Sequence, residues 1–409
     1  MSININIPIM GVGRNEETQL PVGMLLIHKE RFEMVQKVTK TLGFYAHDQG
    51  GNNALNSVAQ TALGAGMVIL RVPDVGGDVP GDVAAQMAQC SALVLGISSD
   101  DRAGREARLA LAALGHNAAL DGKIVFVEDF PGSTGVQNAD HQAIGPHAHL
   151  CAIAALPQDA PERKVYRGVH AVGSPDHWID YMKNIHYGEE FRQSGAVRKR
   201  RRGTTESVPL GSGEVVFYVS GCNTPSVDTA ILKALYARET IAGRPFVVHF
   251  RAHPGERKRL AELAADIAER DRVLGGGWEL ANSEVVDAGG VTDSRLLGVS
   301  DIPILHPFAT AVFHLAALRR RGIAVRECIT PTQLAGSATN PKVADNFVHV
   351  IDRLSGIGKA AEELLRDDSE FSVALRKRQE ASIAAFDPDQ PPTFGKNVFQ
   401  FVQDIVERR

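Results

Sequence analysis

Cysteine is scarce in this sequence, and its placement excludes the common structural uses of the residue. The cysteines lie far apart and form no CxxC pair; they are Cys90, Cys151, Cys222 and Cys328. Structural zinc sites and disulfide frameworks need closer or more regular spacing. We therefore expect a reduced, cytoplasmic protein without a zinc site.

Long apolar runs and a strong net charge are also missing. No apolar stretch approaches the roughly 20 residues that span a bilayer, and the first residues show neither the basic segment nor the apolar core of a secretory signal. The formal net charge is −4, so the composition does not favour nucleic acid or an anionic membrane as a partner. The basic run Arg198–Arg202 has no interleaved aromatic residues, and we interpret it as part of a solvated linker.

What the sequence does contain is an alternation of strands and helices in two blocks. In each block, short apolar runs typical of buried strands are followed by turns and by helical periodicity. A chain of 409 residues also exceeds one ordinary hydrophobic core. Repeated βα units predict an α/β protein with two Rossmann-like, doubly wound domains that face each other across a cleft. No GxGxxG fingerprint follows the first strand, which disfavours an NAD-dependent dehydrogenase.

Composition shifts along the chain suggest the domain boundaries. Residues 188–213 combine the basic run with GTTESVPLGSGE, a stretch rich in small and polar residues, and they separate the two blocks. The predicted segments are an N-terminal extension without an assigned role at 1–23, a first domain at 24–187, a linker at 188–213, a second domain at 214–385 and a C-terminal helical segment at 386–409.

Polar and glycine-rich turns follow three successive strands of the first block. They contain His47 to Asn53, Ser98 to Asp101, and Glu128 with Asp129. Each turn by itself is equally consistent with helix capping or with local turn geometry. Because ligands of open parallel sheets bind beyond the carboxyl ends of the strands, their recurrence favours a ligand site.

The second block contains the strongest candidate for an anion site. In Ser300–Leu318 a buried strand, a tight turn at His306–Phe308 and a helix opening at Ala309–Ala311 follow one another. Free N–H groups and the dipole at a helix start favour a phosphate, although most turns of this kind bind nothing. Two further polar turns in the same block, SGCN from Ser220 and RAHPGE from Arg251, strengthen the phosphate interpretation.

These motifs together resemble the GT-B-fold superfamily, which contains many glycosyltransferases and UDP-N-acetylglucosamine 2-epimerase. The resemblance is carried by SGCN, RAHPGE and SDIPILHPFATAVFHLAAL in the second half and by DQGGNNALNSVAQTALGAG, LGISSDDRAGREARLAL, VEDFPGS and VGSPDHW in the first. It covers residues 42–407 in order. It implies that the C-terminal helix crosses back onto the first domain. His314 is the residue nearest to the position where many members carry an acidic residue that holds a ribose or sugar hydroxyl.

The resemblance also implies a function and roles for residues. It implies sugar transfer from a nucleotide-sugar, such as a UDP-sugar, to an unknown acceptor, without a metal or another cofactor. Asp48 is the first choice for the catalytic base, followed by His47 and Asp129. Nucleotide and diphosphate contacts are expected from Ser220, Gly221, Asn223, Arg251, His253, Pro307, Ala309, Thr310 and Ala311. Further cleft residues are Gly50, Gly51, Asn52, Ser98, Ser99 and Asp100.

Alternatives to transfer stay open at this point. A nucleotide-sugar epimerase or hydrolase would use the same fold to convert the donor without an acceptor. A non-catalytic nucleotide-sugar-binding protein would keep the cleft without the base. A homodimeric state is compatible with every one of these functions.

Overall fold

The computed structural model describes residues 40–47, 49–72, 81–97, 104–129, 136, 138–153, 155–222, 224–286, 292–307, 309, 311–328, 347–383 and 393–407. These residues fall into two compact units. The first unit contains the residues up to His177 and those from Pro392 onwards, and the second contains Trp178–Pro391. The N-terminal extension predicted at 1–23 lies outside the described residues.

A parallel sheet organises the first unit. Its strands are β1 Thr41–Tyr45, β2 Val68–Arg71, β3 Ala92–Gly96, β4 Ile124–Val127, β5 Ala148–Ala152 and β6 Gly168–Ala171. They lie in the order β2-β1-β3-β4-β5-β6, and all neighbouring pairs are parallel. Every residue of β3 and β4 is buried, as expected for strands with both faces covered.

Helices cover both faces of this sheet. They are α1 Gln49–Gly64, α2 Gly81–Met87, α3 Arg105–His116, α4 Ala139–Ile144 and α5 Glu162–Val165. One apolar cluster joins Met87 and Leu109, from α2 and α3, to Phe126 on β4. A second cluster, on the opposite face, includes Leu55 and Val58 of α1. The order of strands and helices is that of a doubly wound domain.

The second unit contains a small antiparallel sheet and a larger parallel one. The antiparallel sheet has β7 Arg198–Arg201 between β8 Ser207–Pro209 and β11 Trp278–Leu280. The parallel sheet has β9 Val215–Ser220, β10 Phe246–Arg251, β12 Ile302–Leu305, β13 Ile323–Val325 and β14 His349–Ile351, in the order β10-β9-β12-β13-β14. The helices are α6 Asp176–Gln193, α7 Pro225–Tyr236, α8 Leu260–Leu274, α9 Ser283–Val286, α10 Thr292–Val299, α11 Ala311–Ala317, α12 Ile357–Leu364 and α13 Glu370–Ile383.

The C-terminal helix α14, Phe394–Glu407, returns to the first unit and packs on α1. Its apolar side chains Phe394, Val398 and Val402 join the second apolar cluster. The Asn397 amide donates to the carbonyl oxygen of Val172 at 2.9 Å, which anchors the start of the helix. The prediction that the last helix crosses back onto the first domain is confirmed.

The segment predicted to be a linker, 188–213, has regular structure. It contains the end of α6 and the strands β7 and β8, and the contacts divide the chain near His177 instead. Four of the five residues of the basic run form strand β7, and two of these four are ion-paired: Lys199 with Glu214, and Arg200 with Glu279 at 3.0 Å. The linker interpretation missed this because both carboxylates lie outside the run and reach it only through folding.

Helix α6 is fastened to the second unit by close packing. A Cβ atom added to Gly188 would lie 3.0 Å from the Cα atom of Gly298 at the end of α10. Near this contact, Glu189 pairs with Arg320 at 3.0 Å. The side chains at the start of α6, Trp178 and Tyr181, are thereby brought against α11 of the second unit.

Candidate functional site

The strand order of the second unit identifies where a ligand is expected. The chain passes from β9 to β10 on one side, and then β12 lies on the other side of β9. Ligands of doubly wound sheets bind at the carboxyl ends of the strands where the order reverses in this way. The relevant turns are therefore those after β9, β10 and β12.

The turns after β9 and β10 touch each other through their backbones. The Gly221 N–H donates to the carbonyl oxygen of Arg251 at 2.8 Å. A Cβ atom at position 221 would lie 2.7 Å from the nitrogen of His253 and 2.9 Å from the oxygen of Arg251. Glycine is required for this close approach. The Gly221 N–H is engaged in this hydrogen bond, and a contact between Gly221 and a diphosphate stays a prediction.

Replacing Gly221 with alanine is expected to lower the free energy of unfolding of the second unit by about 1–3 kcal/mol, the usual effect of forcing an extra carbon into a packed contact. Both tryptophans, Trp178 and Trp278, lie in the second unit, so their fluorescence during urea unfolding reports on that unit alone. Gly213→Ala is the matched control, since nothing lies within 4 Å of a Cβ atom there. Equal stabilities of the two variants would contradict the packing argument.

A buried network of charged side chains attaches the same two turns to neighbouring helices. The Cys222 N–H donates to Asp228 Oδ1 of α7 at 3.1 Å, and Arg270 Nη1 of α8 donates to both oxygens of Glu256 at 2.9 and 2.8 Å. Arg270 Nη1 also lies 3.6 Å from Asp228 Oδ2. Burial raises the pKa of Asp228 to about 6. The network ties each turn to the helix that follows it.

Beside the turns lies a polar set that we call the Asp293 cluster, formed by Tyr218, Arg251 and Asp293. The Tyr218 hydroxyl and Arg251 Nη1 both donate to Asp293 Oδ1, at 2.7 and 2.6 Å. Ser220 joins them through a side-chain hydrogen bond with Tyr218. Burial raises the pKa of Tyr218 well above its usual value, so its phenol stays a donor. Ser220 and Arg251 were predicted from the sequence, whereas Tyr218 and Asp293 were not.

Aromatic side chains pack around this cluster. The His314 ring of α11 stacks on Tyr181 with ring centroids 4.4 Å apart, and Trp178 meets His314 edge-on at 4.9 Å. His314 is only 3% exposed. Burial, with the charge of Asp293, raises the pKa of the Tyr181 phenol. His314 therefore belongs to an aromatic stack, which explains why no carboxylate stands at its position.

The turns also contain several hydrogen bonds that limit which groups can meet an anion. His253 Nδ1 accepts from the Gly255 N–H at 3.0 Å, so this histidine caps its own turn. After β12, the Ala309 N–H donates to the carbonyl oxygen of His306 at 2.9 Å. Pro307 is buried there, and α11 begins at Ala311. The N–H of Ala309, like that of Gly221, is thus used within the fold.

In the first unit, the strand order reverses between β1 and β3, and His47 follows β1. The His47 N–H donates to Glu106 Oε1 at 3.0 Å, and His47 Nδ1 lies 3.0 Å from Arg105 Nη1. Arginine has only donors, so Nδ1 accepts and the neutral ring carries its proton on Nε2. Arg105 and Glu106 are buried at the start of α3. Sequence analysis missed both, although two charges opening a helix after a polar strand end are a usable signal.

Other predicted residues of the first unit have structural partners. The Asn52 amide donates to the carbonyl oxygen of Ala46 at 3.1 Å and accepts from Arg71 at 2.8 Å. A Cβ atom at Gly96 would lie 3.0 Å from the Cα atom of Gly51, so α1 packs closely on β3. These contacts favour the turn-stabilising interpretation of Gly51 and Asn52.

The two acidic residues after β4 are both buried. Glu128 Oε2 accepts from the Ile153 N–H at 2.7 Å and so joins the ends of β4 and β5. Asp129 is 6% exposed. Several predicted residues lie outside the described part of the chain: Asp48, Ser98, Ser99, Asp100, Asn223 and Thr310. Gly50 lies in α1, and its surroundings are likewise not described.

The described residues contain neither a membrane-spanning helix nor a cluster of metal ligands. None of the helices there is long and apolar enough to cross a membrane. Within the same residues, no group of three or more His, Cys, Asp or Glu side chains could hold a metal ion.

Comparison with known proteins identifies the fold. No protein-family model matches the chain, and no curated protein matches its sequence. Among solved structures, S. aureus MnaA in complex with UDP is similar with a TM-score of 0.51 and 12% identity, over 90% of this chain and 96% of that one. The chain has the GT-B fold. The GT-B resemblance predicted from the motifs is confirmed at the level of fold.

Two other GT-B proteins show weaker similarity. MurG of Acinetobacter baumannii matches with a TM-score of 0.48 and 13% identity, over 89% of this chain and 99% of that one. The glycosyltransferase SnogD from Streptomyces nogalater matches with a TM-score of 0.38 and 12% identity, over 90% of this chain and 99% of that one.

Proposed function

We propose that this protein is a GT-B enzyme that binds a nucleotide-sugar at the carboxyl ends of β9, β10 and β12 and transfers the sugar to an acceptor without a metal. The observation that carries the proposal is the Asp293 cluster. It holds the guanidinium of Arg251 at the strand end next to the point where the strand order reverses. The similarity to MnaA, whose structure contains UDP, supports a nucleoside diphosphate as the bound group.

Arg251 supplies the charge chemistry in this proposal. Its Nη1 is committed to Asp293, while within the described residues its other nitrogens make no hydrogen bond, and its side chain is 35% exposed. Those N–H groups would donate hydrogen bonds to the phosphate oxygens. As the sugar leaves, negative charge grows on the diphosphate, and a donor already fixed in place stabilises that charge. Ser220, His253, Pro307 and the start of α11 would line the same position.

The acceptor hydroxyl or amine needs a base, and Asp48 remains our first choice. His47 is the weaker candidate, because its Nδ1 accepts from Arg105 and its neutral ring has a proton on Nε2. Asp129 is the third. The roles of Asp48, His47 and Asp129 are proposals that follow from their positions after the first-unit strands.

The test is calorimetric titration with UDP, GDP, ADP and dTDP. We expect the wild-type protein to bind at least one of them, and we expect Arg251→Ala to weaken that binding about 10- to 100-fold, because a hydrogen bond to a charged group contributes about 1.5–3 kcal/mol. Arg257→Ala removes the same charge from an exposed side chain six residues further along the chain and should leave the affinity unchanged. No binding by the wild-type protein, or equal binding by Arg251→Ala, would reject the proposal.

Product analysis then distinguishes the reactions. Incubation with a UDP-sugar alone, and then with acceptors, is expected to release UDP only when an acceptor is present. Isomerised or hydrolysed sugar from the donor alone would indicate an epimerase or hydrolase. Binding without any product would indicate a nucleotide-sugar-binding protein.

A further inference from the structure

The carboxylate of Asp293 has one oxygen that the fold uses and one that it does not. Oδ1 accepts from both Tyr218 and Arg251, at 2.7 and 2.6 Å. Oδ2 has no hydrogen-bond partner among the residues that the structure describes, and 43% of the side chain is exposed. A carboxylate accepts about four hydrogen bonds. The remaining capacity of Asp293 therefore lies on its outward oxygen.

The orientation of this oxygen is set by buried groups. Tyr218 is 1% exposed and lies on β9, between β10 and β12. Helix α10, which carries Asp293, is held by Arg295, whose Nε donates to Asn184 at 3.1 Å and whose Nη1 donates to the carbonyl oxygen of Glu284 at 2.8 Å. An ordinary surface aspartate is free to rotate, whereas this carboxylate is anchored on one side. Anchoring of this kind lowers the entropy lost when a ligand binds.

The chemistry of the neighbours restricts what can bind to Oδ2. The outward oxygen accepts hydrogen bonds only, and the remaining N–H groups of Arg251 only donate. A ligand that satisfies both must present a donor close to an anionic or carbonyl oxygen. A sugar hydroxyl next to a phosphate has this arrangement, and a carboxylate or an inorganic phosphate alone does not satisfy Asp293.

We propose that Asp293 Oδ2 accepts a hydrogen bond from a hydroxyl of the nucleotide-sugar whose diphosphate Arg251 binds. The inference rests on the proposed function and goes beyond it by naming the residue that binds a hydroxyl of the ligand. His314 offers no carboxylate for this hydrogen bond, because its side chain is an imidazole that lies within the aromatic stack.

The hydroxyl belongs either to the ribose of the nucleotide or to the transferred sugar, and ligand pairs separate the two. UDP against 2′,3′-dideoxy-UDP isolates the ribose hydroxyls, and UDP-N-acetylglucosamine against UDP measures the contribution of the whole sugar, including its hydroxyls. The corresponding GDP and dideoxy-GDP pair is the second probe. Each affinity is measured by calorimetry for the wild-type protein and for Asp293→Asn.

Asp293→Asn keeps the shape of the side chain. Its amide oxygen can still accept from Tyr218 and Arg251, but an NH₂ group replaces Oδ2 and offers a donor to a hydroxyl. We expect the wild-type protein to prefer one member of a pair by about 10- to 100-fold, the range for a hydrogen bond to a charged group. We expect the preference to fall to about threefold or less in the variant.

The outcomes are distinguishable. Loss of the UDP preference over dideoxy-UDP assigns the ribose, and loss of the UDP-N-acetylglucosamine preference over UDP assigns the sugar. Absence of both preferences in the wild-type protein, or their full retention in Asp293→Asn, overturns the inference while leaving UDP binding intact. If the wild-type protein binds none of UDP, GDP, ADP and dTDP, the proposed function fails and the inference fails with it.

Two further variants test whether the effect is specific to the anchored carboxylate of Asp293. Asp266→Asn removes one carboxylate from the exposed side of α8 and should keep the wild-type preference. Tyr218→Phe keeps the Asp293 carboxylate but removes one of its two anchors, so we expect the preference to fall about threefold to tenfold. Should Asp293→Asn fail to fold, an unchanged preference in Tyr218→Phe would by itself overturn the inference.

Discussion

Replacing Arg270 with methionine is expected to lower the free energy of unfolding of the second unit by about 3–5 kcal/mol, the range for removing one partner of a buried ion pair. Arg270 is 4% exposed, and its carboxylate partners are similarly buried, Glu256 at 3% and Asp228 at 0%. Methionine fills a similar volume without a charge. Two carboxylates would then remain in the interior without a cation, and the turn after β10 would lose its attachment to α8.

Tryptophan fluorescence during urea unfolding measures this change, because both tryptophans lie in the second unit. Arg272→Met is the control on the same helix, since Arg272 is 70% exposed and pairs with Glu269 at the surface. We expect the control to keep a stability close to that of the wild-type protein, because exposed ion pairs contribute little. Neutralising the partners as well, with Glu256→Gln and Asp228→Asn, should recover a large part of the loss. A wild-type stability for Arg270→Met alone would show that the network is dispensable.

Acid is expected to destabilise the second unit through His249. This residue lies on β10, is 6% exposed, and has its pKa lowered from 6.5 to about 3 by burial, together with the charges of Arg202, Arg251 and Arg200. Below pH 6.5 the unfolded chain takes up a proton that the folded protein refuses. The contribution of neutral His249 to the free energy of unfolding is therefore fully present above pH 6.5, and it is lost as the pH falls towards 3. Between pH 6.5 and pH 4.5 we expect a loss of about 2–3 kcal/mol from this residue.

The change from pH 6.5 to pH 4.5 is compared between the wild-type protein and His249→Asn. The variant should lose about 2–3 kcal/mol less than the wild-type protein over that interval. Asp228, whose pKa is raised to about 6, acts in the opposite direction but equally in both proteins, so it cancels. His186→Asn, at an exposed histidine of α6, should follow the wild-type curve. Parallel curves for His249→Asn and the wild-type protein would rule out His249 as the source.

Strands with continuous apolar character were predictable from the sequence, and those with charged residues were not. VVFYVS in β9 and IPIL in β12 are bounded by polar turns, so the local pattern is sufficient. Strand β7 has the sequence RKRR, which does not look like a strand. It is stabilised by pairing with β8 and β11 and by the distant carboxylates of Glu214 and Glu279. Helix α6 was not predicted, although its buried residues Trp178, Met182, Ile185 and Gly188 recur at the three- to four-residue spacing of a helix.

The candidate site divides in the same way. Ser220, Arg251 and His253 stand at strand ends, and a strand end is visible in the sequence as a change from apolar to polar residues. Tyr218 looks like one more core residue of its strand, and Asp293 looks like the start of a short surface helix. Nothing local relates them, since 75 residues separate their positions.

The sequence by itself determined the α/β alternation, the GT-B resemblance and the polar strand ends, because these depend on local periodicity and on residue types at turns. Tertiary structure alone decided that Gly221 is a packing residue, that His314 belongs to an aromatic stack and that Asp293 is bound by Tyr218 and Arg251. Each of these depends on distances between segments far apart in the chain. Such distances arise from the packing of α6, α10 and α11 against the parallel sheet, and a linear pattern does not contain them.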